Sequence, residues 1–152
     1  MAIPFLTRKT AEDFTARLSK IQASDRPKFG VLTPVKLMRH LRFTFDMSLE
    51  KVKVHDISNF FTRTVIRILA FHWFTNWPGG KIKAPDELTP EPDGDFEQER
   101  GDMIAAINEF LVEADKNPTR KTLSPLLGQC TLKYWRRIHG LHLRHHCKQY
   151  GV

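Results

Sequence analysis

Apolar residues recur at helical spacing in several segments, and no segment shows the alternation of apolar and polar residues that is typical of a half-buried strand. The first predicted helix covers residues 10–22 and begins with the N-cap candidate Thr10. Thr33 and Pro34 place a capping residue directly before a proline, which is a strong signal for the start of a helix. This second helix is expected to end between residues 50 and 53.

Residues 57–77 are the most apolar run of the chain. Arg63, Arg67 and His72 interrupt the run, which argues against a membrane span. We expect a helix that covers the bundle, with an interfacial membrane contact as the alternative. The same aromatic-rich surface would suit the interface of a homodimer, because periodicity alone does not separate a subunit interface from a core.

The sequence Trp-Pro-Gly-Gly at residues 77–80 predicts an abrupt end to that helix, and a long Pro/Gly-rich loop is expected to follow it. The next helix starts at Asp95 or close to it and runs to about residue 115, and the last helix covers residues 130–152. The predicted fold is therefore all-α: a four-helix bundle with an additional helix and a long loop inserted between core helices 2 and 3. Residues 1–152 form a single domain in this interpretation.

Composition narrows the function classes without selecting one. The 152 residues are 41% hydrophobic, which is enough for one domain with a core. The formal charge of +7 would attract anionic partners, but the basic residues form no dense tract and no recognised motif, which argues against nucleic-acid binding. The two cysteines, Cys130 and Cys147, have no CxxC spacing and no secretory signal opens the chain, so the expected location is the cytoplasm.

Four of the seven histidines fall in one eight-residue stretch, residues 139–146, inside the last predicted helix. At about 100° per residue, one face of that helix collects His139, His142, His145, His146 and, at its end, Gln149. Imidazoles that point towards a core require either hydrogen-bond partners or a metal ion. Their spacing alone leaves both explanations open.

The pair His142 and His146 has the i, i+4 spacing at which two imidazoles can converge on one ion. His142 could also pair with His139 or His145 at i, i+3 spacing, and it takes part in every combination. A third ligand is available on the second helix, where His40 lies near the start. Because the start of one antiparallel helix lies beside the end of its neighbour, His40 can meet the pair on the last helix.

Residues 32–41 and the string H-x-x-H-H-x-x-Q at residues 142–149 resemble the DinB/YfiT-like superfamily of four-helix bundles. The similarity is closest to a bacterial branch known only as a domain of unknown function. That branch shares the Thr-Pro helix start, a Pro/Gly-rich insert, a Pro-x-x-Gly step like residues 125–128, and a tryptophan ahead of the histidines, here Trp135. Ser124 departs from the pattern, since a histidine is expected before the Pro-x-x-Gly step.

The resemblance implies a divalent-metal site with His40, His142 and His146 as its ligands, which would leave coordination positions open. It also implies metal-dependent enzyme chemistry of the kind found in relatives, which include transferases that use small thiols and some isomerases. The leading interpretation is a metal-dependent enzyme that acts on a small molecule, as a transferase that uses a low-molecular-weight thiol or as a hydrolase. Nitrogen ligands suit zinc, nickel, iron or cobalt. The alternative is a non-enzymatic protein, either a metal-binding stress-response protein or a basic interaction module.

Other side chains of the predicted metal end have less specific interpretations. Basic residues there could attract an anionic substrate, although solvation of a helix surface is the simpler explanation: Lys36, Arg39, Arg42, Arg144 and Lys148. Cys147 follows His146 directly and so points about 100° away from it, which favours a buried thiol over a metal ligand. No carboxylate lies on the stripe of His142 and His146, so no general base of that type is visible.

Overall fold

A computed structural model describes residues 4–73 and 86–152. Within these residues the chain is mostly helical, with a small two-stranded antiparallel sheet. A π-helical turn at Thr62–Ile66 leads directly into the third α-helix, and a 3-10 turn covers Asp86–Leu88. The α-helices are α1 (Arg8–Leu18), α2 (Pro34–Ser48), α3 (Arg67–His72), α4 (Phe96–Lys116) and α5 (Leu132–Tyr150).

The mostly helical character of the chain is confirmed, but the all-α prediction did not include a β-hairpin, which precedes the last helix. Strand β1 (Lys121–Ser124) pairs antiparallel with β2 (Gly128–Thr131) around a three-residue turn. Gly128 has a φ of +74°, a left-handed conformation that a side chain rarely adopts. The last helix consequently starts at Leu132 rather than at residue 130, and the Thr131 side chain caps it by accepting from the Tyr134 amide.

The first two helices lie close to where the sequence places them. Thr7, rather than Thr10, caps α1, and Thr10 completes the capping box as the third helical residue. Helix α2 begins at Pro34 as predicted, but Thr33 makes no side-chain capping bond, so the start depends on the proline. This helix ends at Ser48, a few residues earlier than expected.

The predicted helix at residues 57–77 is shorter and less buried than expected. Within residues 57–73, helical structure starts at Phe60, and Ala70 is the only residue of α3 that is fully buried. Several large apolar side chains of this segment stay exposed: Ile57, Phe60, Phe61, Val65, Ile68 and Trp73. The predicted break at residues 77–80 and most of the inserted loop lie outside the described residues. None of the described helices has the length and apolar character needed to cross a bilayer.

Helix α5 is the centre of the fold and contacts each of the other four α-helices. Its Trp135, Leu141 and Leu143 side chains are buried against the core. Helix α2 packs on α4 along one side and on α5 along another, so that side chains from the middle of α2 face the second half of α5. This arrangement decides which histidines can meet.

Two helical glycines provide a test of this packing. A Cβ atom at Gly140 of α5 would lie 2.8 Å from the Pro4 carbonyl oxygen, whereas one at Gly101 of α4 would meet nothing within 4 Å. We expect Gly101→Ala to raise the free energy of unfolding by up to about 1 kcal/mol, because alanine favours the helix. Gly140→Ala should lower it by about 1–3 kcal/mol, because the N-terminal segment must move.

Thermal or urea unfolding of the two variants would check this prediction. Because the same substitution is made in two helices, the intrinsic helix preference is common to both. Equal stabilisation by both substitutions would show that residues 4–6 do not pack against α5 in solution.

Candidate metal centre

The side chains of His40, His142 and His146 converge at the interface between α2 and α5. His142 Nε2 lies 2.9 Å from His40 Nε2 and 2.9 Å from His146 Nε2. One nitrogen from each of the three rings lies within 4.8 Å of the others, and no carboxylate or thiol of the described residues joins them. These are the three residues that the sequence analysis gave as candidate metal ligands.

A backbone carbonyl fixes the orientation of the first ring. His40 Nδ1 lies 2.6 Å from the carbonyl oxygen of Leu88, and since a carbonyl only accepts, Nδ1 carries the proton and donates it. In a neutral imidazole the other nitrogen, Nε2, is then an acceptor with a free lone pair. That lone pair points into the cluster.

A glutamine fixes the third ring in the same way. Gln149 Nε2 donates to the carbonyl oxygen of Phe29 at 3.0 Å, which leaves Gln149 Oε1 to face His146 Nδ1 at 2.7 Å. The Nδ1 atom of His146 therefore donates, and its Nε2 atom also presents a lone pair to the cluster. Outer partners of this kind orient the histidine ligands of metal sites.

Two lone pairs thus face a single nitrogen of His142. If His142 Nε2 carries a proton, it satisfies one of its two neighbours well, and the other lone pair has no donor among the three rings. A cation at the centre would satisfy all three rings at once, so the donor set fits a metal ion. Tetrahedral zinc–imidazole bonds would separate the nitrogens by roughly 3.3 Å, so His142 Nε2 would need to move a few tenths of an ångström away from each of its two neighbours, which lie at 2.9 Å.

The electrostatics keep these imidazoles neutral. Burial lowers the pKa of His40, and it lowers the pKa values of His142 and His146 further, with repulsion between the neighbouring rings acting in the same direction. Metal ions bind the deprotonated form of histidine. The three ligands are consequently in the binding form at neutral pH.

The two remaining histidines of the string do not join the cluster, which settles the alternative pairings. His139 is buried, stacks on Phe45 with the ring centres 3.9 Å apart, and donates from Nε2 to Ser48 Oγ at 3.0 Å. Ser48 Oγ in turn donates to the Phe45 carbonyl, which is why it accepts from His139. His145 is half-buried and contacts the edge of the Phe29 ring.

The cluster forms part of the wall of a cleft with a volume of about 760 Å³. All three converging histidines line it, and so do His139, His145 and residues of the β-hairpin turn. Cavities of this size are typical of sites for small molecules. An ion held by the three Nε2 atoms would therefore face a space that a second molecule can enter.

The basic side chains of α2 are paired with carboxylates, including Lys36, the one of them that lines the described wall of the cleft. Lys36 lies 2.8 Å from Glu91, and Arg39 lies 3.0 Å from Asp93. Arg42 contacts acidic side chains of α2, of the segment before α4 and of α4 itself: Asp46, Asp93, Glu99 and Asp102. The suggested attraction of an anionic substrate by these residues is not supported.

Cys147 behaves as a buried core thiol, as its position after His146 predicts. It is fully buried, and burial raises the pKa of its thiol to about 11. It is not one of the side chains that converge with the three histidines. Nothing in the described residues favours its alternative role as a fourth ligand.

The sequence pattern did not reveal the backbone groups that hold the rings. The Leu88 carbonyl ends the 3-10 turn and the Phe29 carbonyl lies in the segment between α1 and α2, and no residue type signals a backbone acceptor at either place. Ser124, the departure from the expected histidine, accepts from the Leu127 amide at 3.3 Å and lines the cleft. Of the supporting groups, only Gln149 carried a signal, as the last residue of the histidine string.

The role of Gln149 gives a specific prediction. Gln149→Leu removes the acceptor for His146 Nδ1, and the affinity for zinc should fall by about 10–100-fold. Gln149→Glu keeps an acceptor for His146 Nδ1 but loses the amide that donates to the Phe29 carbonyl, so its affinity should lie between those of Gln149→Leu and the unmodified chain. Competition with a chromophoric chelator would measure both constants, with Gln129→Leu, at an exposed glutamine of β2, as the control. Unchanged affinity in Gln149→Leu would contradict the orienting role.

Comparisons with known proteins identify a family without supplying a function. Neither the curated proteins nor the solved structures contain a match to this chain. One family model, described as a protein of unknown function (DUF1569), matches residues 7–151. This agrees with the predicted similarity to a domain of unknown function. The chain therefore belongs to the DUF1569 family.

Proposed function

We propose that this protein binds a divalent transition metal through the Nε2 atoms of His40, His142 and His146, and that it is a metal-dependent enzyme acting on a small molecule. The observation that carries the proposal is the convergence of three oriented lone pairs on the wall of a substrate-sized cleft. A structural metal site is usually closed by four protein ligands, whereas three ligands leave a position open. The open position would face the cleft.

The fold supports the same assignment. One ligand lies on α2 and two lie at i, i+4 spacing on the last helix, which is the arrangement that the resemblance to DinB-like four-helix bundles implies. We include in the proposal that residues 1–152 form one domain of this type. The β-hairpin between α4 and α5 would then be an addition to the bundle.

A metal at this site would lower the pKa of a bound water molecule or hold a thiol as its thiolate. The chain's own contribution is orientation: Leu88 and Gln149 hold the protons at Nδ1 of their histidines, so that both Nε2 atoms stay unprotonated. This chemistry fits a thiol-using transferase or a hydrolase.

A second candidate is a non-enzymatic metal-binding protein, for example one that acts in a stress response. The observation that favours it is the absence of a carboxylate from the described cluster, since many hydrolytic metal sites use one as a general base. Pairing of the α2 basic residues with carboxylates disfavours a basic interaction module.

Cobalt(II) titration distinguishes the two candidates, because the visible absorption of cobalt reports its ligands and geometry. Metal-free protein should develop cobalt bands that saturate near one equivalent, and 2-mercaptoethanol should then shift them by adding a sulfur ligand at the open position. Bands that do not respond to thiol or to azide would indicate a closed site and favour the binding protein. No saturable uptake of cobalt, zinc, nickel or iron would refute the proposal.

A further inference from the structure

The lining of the cleft restricts what kind of molecule can enter it. Apart from the histidines, most of the wall is aliphatic or aromatic, with contributions from every element around the site. Side chains that illustrate this are Phe29, Leu32, Met47, Leu88, Leu126 and Ile138. Burial of apolar ligand surface against such a wall is the main source of affinity that it offers.

Charged groups are scarce in the described wall. Lys36 is its only lysine or arginine, and this ammonium group already lies 2.8 Å from Glu91. Asp86 and Glu91 are the carboxylates that line the cleft. A ligand that carries several phosphates or carboxylates would meet no surplus of positive charge here, and the desolvation of its charges would oppose binding.

The neutral polar side chains of the wall are already engaged within the protein. Thr44 Oγ1 donates to the Leu41 carbonyl, Thr89 Oγ1 donates to the Asp86 carbonyl, and Gln149 bridges His146 and the Phe29 carbonyl. Two buried ring nitrogens, Trp135 Nε1 and His139 Nδ1, have no partner in the described part of the chain. Beyond these two nitrogens, the described residues of the wall offer few of the free donors and acceptors that a sugar-like ligand requires.

We infer that the cleft binds an uncharged, mostly apolar molecule whose single polar head reaches the three converging histidines. The placement of the head rests on the proposed metal site, whereas the apolar body rests only on the wall. The two parts can therefore fail separately.

A homologous series of ligands tests both parts. Straight-chain alkyl hydroxamates from two to eight carbons offer a constant metal-binding head with a growing apolar body, and the matching primary amides lack the strong chelating head. Each buried methylene should tighten binding by about fourfold in both series. On zinc-loaded protein, the hydroxamates should also bind at least tenfold more tightly than the amides of equal length. Calorimetry with zinc-loaded protein, after its zinc content has been measured, gives both comparisons.

Paired variants locate the apolar body. Leu126 is half-buried, lies in the hairpin turn and lines the cleft, whereas Leu123 is half-buried in β1 and does not line it. Leu126→Asp should weaken the eight-carbon hydroxamate by at least tenfold. Leu123→Asp introduces the same charge into the same hairpin and should leave its affinity within about twofold of the unmodified chain. The two-carbon hydroxamate should bind alike to both variants, which confirms that they fold.

Each outcome has a separate meaning. An affinity that does not depend on chain length, or that falls equally in the two aspartate variants, would overturn the apolar body. A dependence on chain length with equal affinities for hydroxamate and amide would overturn the placement of the head at the metal. If the protein binds no zinc, the proposed function fails, and the amide series alone still decides whether the cleft takes an apolar body.

Discussion

His142→Ala is expected to reduce bound metal from near one equivalent per chain to background, with the affinity for zinc more than about 100-fold weaker. His142 is the one ring whose Nε2 lies 2.9 Å from both of the other ligands, so its removal leaves two nitrogens that no longer share a neighbour. Loss of a direct ligand should exceed the 10–100-fold effect that is typical of losing a supporting hydrogen bond. Metal analysis of protein purified without a polyhistidine tag would measure the effect.

The matched control is His55→Ala. The His55 side chain is 84% exposed and lies outside the converging cluster, so its removal should leave metal content unchanged. Circular dichroism of both variants would show that the helices remain. If His142→Ala keeps a full equivalent of metal while folded, the three-histidine site is wrong, and the rings form a hydrogen-bonded network instead.

Acid should destabilise the metal-free protein through His139. Burial lowers the pKa of this imidazole from 6.5 to about 3, so the folded state holds it neutral while the unfolded chain takes up a proton below about pH 6.5. The folded-state pKa is depressed, and the associated stability is therefore complete above pH 6.5 and is lost as the pH falls towards 3. Between pH 6.5 and about pH 4 the loss attributable to His139 should reach about 3 kcal/mol.

Urea unfolding in the presence of a chelator, at both pH values, would measure this loss. His139→Phe keeps an aromatic ring against Phe45 and removes the titrating group, so the variant should lose about 3 kcal/mol less than the unmodified chain on acidification. Ile107→Val, a core change without a titrating group, should cost about 1 kcal/mol at both pH values. Equal acid losses in the unmodified chain and in His139→Phe would show that His139 is not buried as a neutral ring.

The candidate site could be predicted because its ligands lie on helices, where spacing determines direction. His142 and His146 share a face at i, i+4, and the start of α2 was marked by its proline, so His40 could be placed on α2 where it meets the pair on the last helix. Helical spacing could not predict that His139 lies apart from the cluster. The position of this ring depends on Ser48 and Phe45 of another helix, which sequence spacing does not relate to α5.

The β-hairpin escaped prediction for a physical reason. Its strands have four residues each, and Leu123 and Cys130 are the only apolar side chains in them, too few to show a period. Contacts with distant parts of the chain also hold the hairpin in place: Thr122 is buried and donates to the Ser48 carbonyl at the end of α2. For residues 57–73 the error was the opposite one. The apolar residues of this segment predicted a buried helix, whereas several of its large apolar side chains are exposed in the single chain.

The unequal exposure of the three ligands has a consequence for kinetics. His40 and His146 are each 4% exposed, whereas His142 is half-buried and faces the cleft. An ion held by these rings would have to leave through the cleft, so a molecule seated there would also obstruct its departure. The rate at which a chelator strips the metal would then fall as the cleft fills, and that rate would report occupancy even for a ligand that produces no spectroscopic signal of its own.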